Sequence, residues 1–189
     1  ECYELNIGFF KWIESKIPWV TVKIAQSNNG FMGIDSESSI WITGDDTKID
    51  THLLRSKMDA VMIGRKTAEI DDPLLTVREI SGASPLRVVA DTNRTLPLTL
   101  KLFKDSTSKT IVLCSNKKFQ NSHTTYCKYL TVDEKDGVLN PKNILHVLGQ
   151  YGITKLLIEG GPNVIASFLT HNLVDEVYLY TSNNLLKDA

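Results

Sequence analysis

The chain reads as an α/β fold, a three-layer arrangement in which a central, mostly parallel sheet is flanked by helices on both faces. Three observations predict it. Apolar runs of strand length recur, as in Ala60 to Ile63, Leu86 to Ala90 and Leu156 to Ile158, and they are too continuous for a strand with one wet face. Between several of these runs, apolar residues return at helical spacing. Glycine or proline then punctuates the junctions, as at Gly64 and at Gly160-Gly161-Pro162.

The bulk properties exclude several function classes. A length of 189 residues suits one domain able to bury a real core. The formal net charge is -1, with lysines and arginines scattered, so neither nucleic acid nor an acidic membrane is the expected partner. No apolar run is long enough for a membrane-spanning helix, and the start lacks a secretory pattern. Cys2, Cys114 and Cys127 are odd in number and far apart, which fits neither a disulfide framework nor a cysteine zinc site. A reducing cytoplasm is the expected compartment.

Each element has its own justification. Leu5, Phe9, Trp12 and Ile13 mark one face of an opening helix over Glu1 to Lys16. Val20, Val22 and Ile24 alternate with Thr21, Lys23 and Ala25, the signature of a strand. The long polar stretch QSNNGFMGIDSESS follows and is a candidate binding loop. Thr43 is positioned to cap a helix whose first turn carries Asp45 and Asp46, with Ile49, Leu53 and Met58 expected inside and Arg55 on another face. After the second strand, GRKTAEIDDPLLTVR starts as a helix and breaks at Asp72-Pro73, because proline disfavours the helical conformation of its predecessor.

Thr110 to Cys114 and Tyr129 to Val132 supply a fourth and fifth strand, and the weakly patterned stretch from Asn93 to Lys109 reads as loop. Pro141 opens a helix with Ile144, Leu145 and Leu148 along its stripe, ended by Gly149 or Gly152. Val174 to Thr181 closes as a strand.

Function is expected at the carboxyl ends of the strands. The central stretch is KLLIEGGPNVIASFL, where a buried strand turns through two glycines into a helix begun by Pro162. The free amides of that helix start suit an anion, and Glu159 stands beside them. The loops after Ala25, Gly64, Asp91, Ser115 and Glu159 all follow strands and so can line one edge.

Five segments, taken in order and at their spacings, carry a resemblance: KIAQSNNG from Lys23, SIWITG from Ser39, HLLR from His52, the stretch Thr67 to Arg78 with DDPLLTVR, and IEGGP. Together they resemble the reductase domain of the bifunctional riboflavin-biosynthesis deaminase-reductase family, whose fold is dihydrofolate-reductase-like. The match runs from about Pro18 to the last residue. It implies residues 1–17 as a linker helix from a missing N-terminal deaminase domain, and 18–189 as a reductase domain whose C-terminal strands are missing. The zinc deaminase signature is absent from the sequence.

That resemblance implies an activity: NADPH-dependent reduction of the ribose of 5-amino-6-(5-phosphoribosylamino)uracil to a ribityl chain. By position it implies Arg55 and Arg78 as ligands for the substrate's phosphate, with Ser39, Leu75 and Glu159 as further substrate contacts. Ala25, Trp41, Thr67 and Asp71 correspond to the cofactor side, and Gly161, Pro162, Asn163, Val164, Ile165, Ala166 and Ser167 to the pyrophosphate-binding helix start. Lys23, Asp71 and Glu159 are the implied catalytic groups, with Lys23 paired to Glu159 if it points inward and an ordinary edge lysine otherwise.

For the extra phosphate of NADPH, Thr92 and Arg94 are preferred over Lys117 and Lys118. The family pattern has Asp at the position of Asn29. Association into a homodimer or larger is expected from the same resemblance, and a deaminase domain is the expected partner on the full-length chain. Two rival readings stay open from the residues: a true dihydrofolate reductase, and a non-catalytic nucleotide-binding or dimerisation module.

Overall fold

The computed structural model describes residues 2–32, 44–119 and 125–185. Its centre is a sheet of seven strands: β1 (Trp19–Gln26), β2 (Ala60–Gly64), β3 (Leu86–Ala90), β4 (Thr110–Ser115), β5 (Lys128–Val132), β8 (Lys155–Gly160) and β9 (Glu176–Thr181). Their spatial order is β5-β4-β3-β2-β8-β1-β9, and every neighbouring pair is parallel. Two short strands, β6 (Glu134–Lys135) and β7 (Val138–Leu139), form a separate antiparallel pair that the sequence pattern had not suggested.

The order explains where a site can form. The chain leaves β1, passes to β2 and runs outward to β5, then returns to insert β8 between β2 and β1. Connections from the neighbouring strands β2 and β8 therefore depart in opposite directions, toward β3 and toward β9, which opens a crevice at their carboxyl ends.

Two cores follow from the strand alternation. Val20, Val22, Leu156 and Ile158 point to one face, where α5 (Pro141–Gln150) supplies Ile144, Leu145 and Leu148 and α6 (Pro162–Thr170) supplies Ile165 and Phe168. Val61, Ile63, Val89 and Leu157 point to the other, against Leu54 of α2 (Asp45–Ser56), Ala68 of α3 (Arg65–Asp71) and Leu102 and Phe103 of α4 (Lys101–Lys104). The α4 turn lies inside the stretch read as loop, being too short for a periodic signal. As expected, Pro141 begins α5, and Asn140 caps it by accepting from the N–H groups of Lys142 and Asn143.

Two expected helix faces are reversed. In α1 (Cys2–Ser15), Leu5, Phe9 and Ile13 are exposed, while Gly8 is buried. A Cβ on Gly8 would lie 2.8 Å from the Thr154 carbonyl oxygen, so the helix docks through its smallest residue and through Trp12, whose Nε1 donates to the Gly149 oxygen. In α2, Ile49 and Leu53 are exposed and His52, Leu54 and Arg55 are buried. Polar side chains face inward there because buried partners satisfy them.

Candidate active site

The crevice is built around a defect in the sheet. Pairing of β2 with β8 runs Met62 to Ile158 and then Ile63 to Gly160, so Glu159 is an extra residue on β8. A bulge of this kind bends the strand and re-aims the side chain it carries. The Glu159 carboxylate meets Arg55 from α2 in a two-pronged pair, with Nε to Oε1 at 2.6 Å and Nη2 to Oε2 at 2.6 Å. Arg55 Nη1 also donates to the Thr76 carbonyl at 3.1 Å. Burial alone would pull the pKa of Arg55 down; the Glu159 charge and hydrogen bonds outweigh that and hold it above its ordinary value.

Lys23 belongs to the same cluster. It lies on β1 one residue beyond Val22, the last residue paired with β8. Burial is the largest cause pushing its pKa down, Arg55 adds to the shift, and the Glu159 carboxylate opposes it. Its Nζ sits 5.7 Å from the ring centre of Tyr180 on β9, the strand that flanks β1 on its open side. The ammonium is therefore close enough to Glu159 and Arg55 for both charges to act on it.

A glycine floor adjoins this cluster. Gly161 has φ of +84°, a conformation that favours glycine, and a Cβ there would lie 3.5 Å from Gly64 Cα and 3.5 Å from the Thr67 hydroxyl oxygen. A Cβ on Gly160 would stand 3.0 Å from the Thr67 methyl, and one on Gly64 3.0 Å from Val164. The turns leaving β2 and β8 thus lie against each other, with bare backbone and one hydroxyl. Among the described residues no side chain caps α6, which leaves its first N–H groups to an outside acceptor.

The sequence profile described as RibD C-terminal domain matches residues 18–186. The chain belongs to the RibD C-terminal domain family. It is 33% identical over its full length to the riboflavin biosynthesis protein RibD of Aquifex aeolicus, of which it covers 53%. The structure of Acinetobacter baumannii RibD superposes with a TM-score of 0.83 at 30% identity, covering 98% of this chain and 51% of that one. A Thermotoga maritima diaminohydroxyphosphoribosylaminopyrimidine deaminase/5-amino-6-(5-phosphoribosylamino)uracil reductase gives 0.82 at 26% identity, over 97% and 50%. The chain spans about half the length of the curated relatives it matches.

The candidate residues separate into groups by their place in the fold. Lys23, Arg55, Glu159, Thr67, Gly161 and the first residues of α6, Pro162 to Val164, gather at the crevice or on its floor, whereas Ile165, expected at the cofactor, does not. Within α6, Ile165 is buried in the core; Pro162, Asn163 and Ala166 are exposed, and Val164 and Ser167 are half-buried. Ala25 pairs with Tyr180 near the carboxyl end of β1. Arg78 is exposed, and its backbone N–H donates to His52 Nδ1 at 3.1 Å.

The remaining candidates have other surroundings. The Leu75 side chain is only 2% exposed and packs in the core, with φ of +55°, so it does not open onto the crevice. Asp71 is exposed at the far end of α3, about 10 Å of helix from the sheet edge. Asp72 turns the chain in a left-handed conformation and accepts from the Lys101 N–H at 2.7 Å. Arg94 lies 4.0 Å over the Tyr129 ring beside β5, and Thr92 uses its carbonyl on the Ser115 N–H. Lys117 is paired with Glu134 at 3.0 Å. Ser39, Trp41 and the Thr43 cap lie outside the described residues.

Sequence reasoning assigned no role to His52, Thr76 and Tyr180. The HLLR spacing could have exposed His52, since residues three apart share a helix face with Arg55. Thr76 acts through its carbonyl and Tyr180 through its strand position, and neither leaves a composition signal. Asn29 keeps a tight turn: its Oδ1 accepts from Ser27 Oγ at 2.7 Å, a bond that does not require a charged side chain.

Proposed function

We propose that this chain reduces the ribose of 5-amino-6-(5-phosphoribosylamino)uracil to the ribityl form with NADPH. The observation that carries the reading is the placement of Lys23 and the Arg55–Glu159 pair directly beside the open backbone of Gly64, Gly160 and Gly161. A reduced sugar carbon and a dinucleotide pyrophosphate need such neighbouring places. The Thermotoga relative, whose name specifies this reductase activity, is similar over nearly the whole chain.

The residues present fit the cofactor. A pyrophosphate needs backbone approach and free N–H groups, and both exist where Cβ atoms are absent at Gly160 and Gly161 and α6 begins uncapped. Thr67 adds a hydroxyl there. Thr92 and Arg94, at the carboxyl end of β3, are assigned to the additional phosphate of NADPH, and Tyr129 steadies the guanidinium. When bound, the reduced nicotinamide supplies the hydride that ends on C1 of the sugar.

The chain's own groups prepare that carbon. Lys23 holds a proton at Nζ that passes to the ring oxygen as the C1–O bond opens, leaving a protonated imine whose nitrogen keeps its hydrogen. Burial makes this ammonium a better acid than an exposed lysine. Glu159 keeps Arg55 locked and places negative charge beside the developing cation. Arg78 receives the 5-phosphate. Asp71, exposed at the end of α3, is assigned to the cofactor's outer edge.

In the whole protein, we assign residues 1–17 as the joint to a deaminase domain on the same chain. The decisive test follows NADPH absorbance anaerobically with the phosphoribosylaminouracil as substrate. Substrate-dependent oxidation that disappears in K23M supports the assignment, whereas oxidation with dihydrofolate alone rejects it.

A further inference from the structure

The segment 72–78 has no regular secondary structure, yet side chains from elsewhere grip its backbone. Arg55 donates to the Thr76 carbonyl at 3.1 Å, the Val77 N–H donates to Ser84 Oγ at 3.0 Å, and the Arg78 N–H donates to His52 Nδ1 at 3.1 Å. The last bond depends on protonation. An imidazole nitrogen accepts only while it carries no proton, and an imidazolium would present a second donor to the Arg78 N–H.

His52 is 2% exposed and lies one helical turn before Arg55 on α2. The charged groups facing it are Arg55 on its own helix, Arg78 and Glu79 on the gripped segment, and Glu159 on β8. Burial is the main influence keeping the ring neutral, with Arg55 and Arg78 acting in the same direction and the two carboxylates opposing. Arg78 is also the less committed of the two implied phosphate ligands. Arg55 is taken by Glu159, whereas the Arg78 guanidinium is 3.9 Å from Glu79, which pairs with Lys48 at 2.7 Å.

We propose that His52 is a positioning residue: its unprotonated Nδ1 fixes the backbone of Arg78 so that the arginine can receive the sugar's phosphate, and protonation of the ring releases that hold. This rests on the reading of Arg78 as the phosphate ligand. It predicts a loss of affinity for phosphorylated sugars on the acid side, separate from any effect on hydride transfer.

The test uses ribose 5-phosphate as probe, with binding to the intact chain measured by calorimetry from about pH 8 down to about pH 5. The phosphate itself takes up a proton near pH 6, so variants are needed to isolate His52. Asparagine places an acceptor oxygen where Nδ1 stands and does not titrate; leucine offers no acceptor. At about pH 7.5, H52L should bind about tenfold more weakly than wild type and H52N within about twofold. Below about pH 6.5, wild-type affinity should fall more steeply than that of H52N, and the Arg78 amide resonance should move with pH in wild type alone.

Equal affinity of H52L and wild type overturns the inference. So do identical pH slopes for wild type and H52N, or failure of ribose 5-phosphate to bind any of them. Thermal unfolding of each variant excludes a folding defect, and H52N decides the matter if H52L does not fold. The NADPH assay runs in parallel: turnover insensitive to His52 rejects this inference alone, and sugar-phosphate binding with the expected pattern but no turnover rejects the reduction reading alone.

Discussion

Removing Glu159 should damage this protein more than removing Arg55, and the reason lies in a third charge. The pair is nearly enclosed, with side-chain exposures of 11% for Arg55 and 8% for Glu159. Breaking a buried pair by deleting one partner typically costs about 3–5 kcal/mol, because the other charge is left without compensation. In R55M the orphan is the Glu159 carboxylate, and Lys23 is within electrostatic reach to neutralise it. In E159L two cations, Arg55 and Lys23, are left to repel each other in the same enclosed space.

We therefore expect about 3 kcal/mol for R55M and about 5 kcal/mol for E159L, the two ends of that range. The double variant should cost clearly less than the sum of the two. Urea unfolding monitored by tryptophan fluorescence, at about pH 7.5 for all four proteins, measures each term. If R55M proves the more damaging, or if the two effects simply add, the three-charge account is wrong.

A Cβ on Gly149 would collide with the Lys16 carbonyl oxygen, so G149A must displace the α1–β1 joint; a loss of about 1–3 kcal/mol in thermal or urea unfolding is expected, and unchanged stability would contradict the packing. Arg87 is fully buried, donating to the carbonyls of Ser108 and Asp105 and to the Asp105 carboxylate, and R87M should cost about 3 kcal/mol by urea denaturation. His52 has its folded pKa depressed below the ordinary 6.5, so between those values the unfolded chain binds more protons. Stability should then fall as pH drops through that window, and H52N should flatten the fall in a pH series of unfolding curves. Burial raises the pKa of the Cys114 and Cys127 thiols, so alkylation of both at about pH 7.5 should be slow until the chain unfolds, as read by mass spectrometry.

Strand after strand was legible because a buried parallel strand leaves a continuous apolar run, and Ala60–Gly64 and Thr110–Ser115 are buried throughout. The turn at Gly160-Gly161-Pro162 was legible too, since glycine and proline have conformations that few other residues share. Helix faces were not. Periodicity placed Ile49 and Leu53 of α2 inside, but which side of an amphipathic helix is covered depends on what lies beneath it, and here a carboxylate waits for Arg55. Leu75 likewise resembles a ligand contact by position, while packing uses it as core.

By itself, then, the sequence determined the alternation of strands and helices, the glycine turn and the family pattern, because these depend on local conformational preference and on burial of each segment. Tertiary structure alone decided that β8 returns between β1 and β2, that Glu159 bulges toward Arg55, and that His52 grips Arg78. Those contacts join residues far apart along the chain, and their energies depend on burial and charge geometry that exist only once the layers have closed.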